Sequence, residues 1–256
     1  MKEVDIITAV YRNHDVVNAI SSLQSQIEVI QSHVVVDGSR SAEFSESLAK
    51  TLSSDARHIV ERDSGIYDAL NKGLRNGTAP IIGVLHSDDV FADRNVLRDI
   101  VRCFSETAAD VVYGDLVYVS QNRTVRHWRA GPLRRAKIGS GWMPPHPTVF
   151  LRREVADRIG PYNTRFRIAG DYEYLLRLML EHDLKIVYLP RVITKMKVGG
   201  ASNGSLGRLF RKSIEDVWAM RMHGVNPYIA LPLKVLSKLP QFLGGHRLFS
   251  GLLRIR

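Results

Sequence analysis

The sequence predicts an α/β protein: a mostly parallel sheet flanked by helices, with a smaller second half and a basic C-terminal tail. Short apolar runs alternate with amphipathic segments from Val4 to Tyr113, the pattern of a parallel sheet wound with right-handed crossovers. Several of these runs end in aspartate, which puts carboxylates at the strand ends where open α/β sheets bind ligands. After Gly114 the alternation gives way to a hairpin pattern and a strong helix.

Val4–Tyr11 reads as the first strand and Asp15–Leu23 as a helix. His33–Val36 is a short buried strand closed by Asp37-Gly38-Ser39, and Ser41 is placed to cap a helix running to Leu52. Arg57–Val60 is the third strand. The turn Asp63-Ser64-Gly65 opens a helix over Ile66–Arg75, with Ile66, Ala69, Leu70 and Leu74 on one face. Ile81–Leu85 is the fourth strand, followed by a helix over Asn95–Phe104 and a strand over Val111–Tyr113. Leu116–Val119 and Thr124–Trp128 pair around Gln121-Asn122, and Val149–Arg152 is a further strand. Gly170-Asp171 precedes a helix over Tyr172–His182, and Lys185–Leu189 and Ile193–Val198 read as two closing strands. A helix over Leu206–His223 leads to a tail broken by Pro227, Pro232 and Pro240. The expected division is one domain over 1–205, in halves 1–115 and 116–205, with a helix and amphipathic tail over 206–256.

Composition is that of an ordinary globular protein, 45% hydrophobic and 24% charged. The single Cys103 excludes an intramolecular disulfide. The first residues carry acids where a signal peptide needs an apolar core. No run reaches the roughly 18–20 apolar residues of a spanning helix. A cytoplasmic protein is expected, soluble or peripheral on the inner face of the membrane. The net charge of +10 is concentrated: residues 116–153 carry eight Lys/Arg and 217–256 carry six, neither with an acid. No nucleic-acid recognition motif accompanies them. An anionic membrane surface or phosphorylated substrates explain the segregation better than nucleic acid does.

The candidate chemistry lies at strand and helix ends. Asp37, Asp63, Asp88 and Asp89 each follow an apolar run. Converging on one sheet edge, they are suited to a nucleotide and to a divalent cation that would hold its diphosphate; each could equally cap the helix after it. Thr8 and Tyr11 end the first strand, where small residues admit a ligand and Tyr11 offers a stacking face. Lys72, on the helix after Asp63, is a candidate to line the donor site. Asp171, at a helix start, sits where the dipole favours the ionised carboxylate that a general base requires. His146, in Pro144-Pro145-His146-Pro147, is a candidate phosphate or acceptor contact, and Gly199-Gly200-Ala201-Ser202-Asn203 a candidate lid.

The ordered strings T-A-V-Y-R-N, V-V-V-D-G-S, E-R-D-S-G-I-Y-D-A-L-N-K-G, L-H-S-D-D, H-P-T-V-F, A-G-D-Y-E-Y-L-L-R-L and V-G-G-A-S resemble family 2 glycosyltransferases of the GT-A fold, a Rossmann-like sheet with an acceptor-side half. The likeness runs from about Val4 to Asn203, and D-x-G-I-Y-D-A-x-N-K-G is similar to bacterial transferases of exopolysaccharide, capsule and colanic-acid assembly. It implies inverting transfer of a sugar from a nucleotide-sugar donor, a UDP- or GDP-sugar, to a saccharide hydroxyl, commonly on a polyprenyl-diphosphate lipid. It assigns Thr8, Tyr11, Asp37 and Asp63 to the nucleotide, Asp88 to ribose or cation, Asp89 to Mg²⁺ or Mn²⁺ and Asp171 to catalysis as base. His86 and Ser87 depart from the pattern, where Asn and a first Asp are usual. A nucleotidyltransferase or a sugar-nucleotide-binding module shares much of this, but the first should carry a glycine-rich loop absent from Thr8–Asn13 and the second has no need of Asp171.

Overall fold

A computed structural model describes residues 2–121, 123–198 and 206–236. The expected lid at 199–203 and the tail beyond 236 lie outside it. Among the described residues nine strands form one sheet in the order β3-β2-β1-β4-β8-β6-β9-β5, with β7 paired to β6. β1 (Val4–Val10), β2 (Gln31–Asp37), β3 (Arg57–Val60) and β4 (Ile81–Val84) run parallel. β8 (Phe150–Arg152) joins β4 antiparallel. It thereby connects that half to β6 (Val111–Ser120), β7 (Arg123–Trp128), β9 (Ile186–Lys197) and β5 (Asp89–Phe91).

Period-two burial builds the two layers. On β1, Ile6 faces a cluster with Leu23, Leu97, Ile100 and Phe104, from α1 (Val16–Gln24) and α4 (Val96–Thr107). Ile7 faces the opposite cluster, with Leu70 of α3 (Ile66–Asn76) and Leu175 of α6 (Gly170–Leu180). Helix α2 (Ala42–Ala49) covers β2 with Phe44 and Leu48, and Ser41 caps it as expected, accepting the Phe44 amide at 3.3 Å.

The differences from expectation are non-local in origin. The two closing strands are one, β9, with a register shift against β6 where Tyr113 pairs Tyr188 and Asp115 pairs Val192. The extra residues hold Pro190, which cannot serve a ladder and is accommodated in a bulge. The separate strands expected at Val111–Tyr113 and Leu116–Val119 are one continuous β6, so the two halves divided at residue 115 share a strand. β5 and the short helix α5 (Arg153–Ile159) were not expected. On α3 the buried face carries Tyr67, Ala69 and Leu70, whereas Ile66 is exposed. The tail expected to be broken at Pro227 and Pro232 forms helix α8 (Pro227–Leu236). It follows α7 (Leu206–Met222) and packs on α7 and on the 3-10 turn Arg135–Ser140. Among the described residues no helix is long and apolar enough to cross a membrane.

Candidate active site

The carboxyl ends of β1, β2 and β4 and the amino end of α6 open onto one region. β4 runs into a turn closed by the Asp89 amide donating to the His86 carbonyl at 3.1 Å, and Asn13 donates to Ser87 Oγ at 3.1 Å, tying this turn to the end of β1. Asp88 stays partly exposed. Asp89 is 1% exposed, and among the described residues neither carboxylate oxygen has a hydrogen-bond partner. Burial, and then Asp88, push its carboxyl well above the usual range. A buried carboxylate without a partner is costly, and a cation relieves the cost. Among the described residues no trio of His, Cys, Asp and Glu could enclose a metal. Asp89 and its neighbour Asp88 therefore fit an ion whose other ligands come from a diphosphate and water, the usual arrangement for Mg²⁺.

Asp171 stands in the first turn of α6, where helix dipole and free amides favour an anion. Burial would push its carboxyl up. Lys212 above all, with His146, the Tyr172 amide and Lys234, outweighs burial and holds it below the ordinary value. The Tyr67 hydroxyl lies 2.7 Å from the Ile168 carbonyl and 3.4 Å from Asp171 Oδ1, and burial keeps this phenol protonated. Glu173, the other acid of this turn, is occupied: Arg177 at 2.8 Å and His223 at 2.9 Å hold it.

Two histidines bridge the carboxylates. The rings of His86 and His146 lie 5.6 Å apart, and both Asp88 and Asp171 act on His86. Burial lowers both rings, His146 to about 4, so both are neutral near pH 7. His146 Nε2 pairs with the Tyr162 hydroxyl at 2.9 Å. The site thus brings together Asp88, Asp89, His146 and Asp171 of the expected set, together with His86 and Tyr67.

The remaining expected residues are placed differently. Tyr11 is 61% exposed, with the Arg12 guanidinium 5.9 Å from its ring centroid, and so offers a free face. Asp63 Oδ1 accepts the Gly65 amide at 3.0 Å, and its other oxygen packs on Gly38, where a Cβ would overlap it. Three others are committed to the protein. Thr8 is buried and bonds His33 at 2.9 Å. Asp37 is buried, accepting the Ser39 amide at 2.8 Å and the Ser45 hydroxyl at 2.5 Å. Lys72 turns from the cleft to the Arg62 carbonyl at 2.5 Å and Glu61 at 2.7 Å, holding the turn before Asp63. Its neighbour Asn71 clamps Tyr162 through both backbone groups, at 2.9 and 2.7 Å.

Tyr67, Lys212 and Glu215 were not singled out from sequence. Tyr67 sits three and seven residues before Leu70 and Leu74, a stripe that marks it as inward-facing. The other two are ordinary helix charges with no local signal.

The mixed, mostly parallel sheet, with acidic groups after β4 and a carboxylate at the start of α6, defines the class: a GT-A glycosyltransferase fold. Crystal structures of S. aureus TarS 1–349 superpose at a TM-score of 0.61, with 15% identity over 97% of this chain and 72% of that one. The complex of TarS with UDP-GlcNAc gives 0.63, covering 95% and 79%. The mannosyltransferase PcManGT from Pyrobaculum calidifontis, in complex with GDP-Man and Mn²⁺, gives 0.61 at 16% identity, covering 95% and 76%. The Glycosyl transferase family 2 model matches residues 5–167, and the chain belongs to that family. A PGL/p-HBAD biosynthesis glycosyltransferase of Mycobacterium tuberculosis is 30% identical over 162 residues. An uncharacterized glycosyltransferase of the same species is 28% identical over 152 residues, 58% of this chain and 57% of that one. The match to the first covers 62% of each protein, so under two thirds of that relative's length is matched.

Proposed function

We propose that this enzyme transfers a sugar, with inversion, from a UDP- or GDP-sugar to the hydroxyl of a saccharide acceptor, with Asp171 as base. The carrying observation is Asp171 itself: a partly exposed carboxylate, held ionised at a helix start and joined through His146 and His86 to the Asp88 side of the cleft. The acceptor oxygen attacks the anomeric carbon from the face opposite the diphosphate. The bond to the diphosphate oxygen breaks with its electron pair, and the acceptor proton passes to Asp171. Burial keeps His86 and His146 neutral near pH 7, so they line the cleft beside Asp171 without adding charge to it. Asp89, with Asp88, would hold Mg²⁺ or Mn²⁺, which supplies positive charge to the departing diphosphate. The similar folds bound to UDP-GlcNAc and to GDP-Man with Mn²⁺ support this donor class.

Tyr11 is assigned to the nucleotide base and Asp63 to the nucleoside, whereas Asp37, Thr8 and Lys72 shape the cleft from beneath. Gly38→Ala should displace Asp63 without unfolding the chain. Donor affinity should drop about 10-fold, the worth of one charged hydrogen bond. Isothermal titration showing unchanged affinity would remove Asp63 from the site.

The acceptor is proposed to be a polyprenyl-diphosphate-linked saccharide of surface polysaccharide assembly, met at the inner membrane face. The exposed Leu209, Phe210 and Ile214 of α7, with Tyr228, Ile229 and Val235 of α8, support a bilayer contact. Arg208, Arg211 and Arg221 lie among them. The testing experiment incubates the protein with UDP-, GDP-, ADP- and dTDP-sugars in Mn²⁺, Mg²⁺ or EDTA and follows nucleoside diphosphate release. Release from one donor is expected, and binding of none would end the transferase reading. Flotation with phosphatidylglycerol against phosphatidylcholine vesicles tests the membrane contact. Equal recovery from both, unchanged in Phe210→Ser, would refute it.

A further inference from the structure

Helices α7 and α8 lie wholly outside residues 5–167. They nonetheless reach the start of α6 from two sides. The Glu215 carboxylate of α7 accepts the amides of Arg167 at 3.1 Å, Ile168 at 2.8 Å and Ala169 at 2.8 Å, the three residues that lead into Gly170 and Asp171. One turn earlier on α7, Lys212 bonds Asp216 at 3.2 Å. From α8, Lys234 reaches the other oxygen of Asp216 at 3.0 Å and lies 3.2 Å from the centre of the Tyr172 ring. Asp216 therefore anchors two lysines, one from each helix, around the residues at 171–172.

We propose that the α7–α8 pair is part of the catalytic apparatus: Glu215 fixes the turn that presents Asp171, and Lys212 and Lys234, anchored together on Asp216, are the positioning charges around it. The inference rests on the reading of Asp171 as base.

Among the described residues, groups from several elements act on Asp171. Tyr67 comes from α3, His86 from the turn after β4, His146 from the turn before β8 and Tyr162 from the segment before α6. Both tyrosines are protonated and both histidines neutral near pH 7. Glu215 is spent on three amides. Near pH 7 the cations are Lys212 and Lys234, and below about pH 4 the His146 ring adds its charge to theirs. Burial pulls the Lys212 ammonium down, but Asp216 and then Asp171 raise it above its ordinary value, so it stays charged. A cation beside a carboxylate favours the ionised form, so removing Lys212 must raise the pH at which Asp171 loses its proton.

The test is a carbon-13 NMR titration of aspartate carboxyls in the whole chain, with the Asp171 signal identified by its loss in Asp171→Asn. No donor is needed, so the result stands apart from whether sugar is transferred. The Asp171 midpoint should rise by about one pH unit in Lys212→Met, the low end for loss of an opposite charge, and stay in place in Lys212→Arg. Lys234→Met should move it in the same direction by less, and carries the test should Lys212→Met not fold. An unmoved midpoint in the folded variants overturns the inference. In donor hydrolysis the acid limb of the pH–rate profile should move up in step. A uniform loss of rate at every pH, with the limb in place, would mean that the helices only support the fold.

Discussion

Asp171→Asn should bind donor with near-native affinity and transfer at least ~100-fold more slowly, the low end for loss of a general base. The amide keeps the size of the side chain and its contact with Tyr67 but cannot take up the acceptor proton. Because the fall belongs to the reacting state, kcat should drop while donor Kd holds. Glu173 cannot substitute, since Arg177 and His223 already hold it. Titration of donor binding alongside transfer rates checks this, and near-native turnover would mean that the base lies elsewhere.

Asp89→Asn should separate stability from activity. In EDTA at pH 8 the variant should melt above the native protein, and in Mn²⁺ the order should reverse, with turnover lowered about 100-fold or more. The sign follows from the raised carboxyl. A group that binds its proton more tightly folded than unfolded weakens the fold once pH passes the unfolded value of about 3.9, and weakens it more until the folded value is reached. The neutral amide removes that penalty, and a bound cation removes it in the native protein only. Thermal melts of both proteins with and without Mn²⁺ decide the matter. A variant less stable in EDTA would show that Asp89 has a structural partner rather than a ligand.

The local half of the fold was legible because β1 to β4 and their helices announce themselves by periodicity and punctuation. β5 was not. Its three residues are a strand only because β9 lies beside them, and that pairing spans about a hundred positions. The two closing strands expected on either side of residues 190–192 are one, because a bulge takes up Pro190. The site divides in the same way. Asp88, Asp89 and Asp171 were readable as carboxylates after a strand or at a helix start. Thr8, Asp37 and Lys72 have the same local look, but His33, Ser45 and Arg62 claim them. Whether a polar side chain faces a ligand or the interior depends on partners that sequence spacing does not show. The most distinctive string serves mainly as joinery: Asn71 clamps Tyr162 and Lys72 holds the turn that carries Asp63.

The placement of Asp216 between Lys212 and Lys234 has a modular side. On the proposed reading, the donor is held by strand ends within roughly the first ninety residues, whereas the charges around Asp171 come from a helical pair that starts at Leu206, beyond the segment the family model matches. On that reading the charge around Asp171 can be altered by substitution in α7 or α8 without touching the strand ends assigned to the donor.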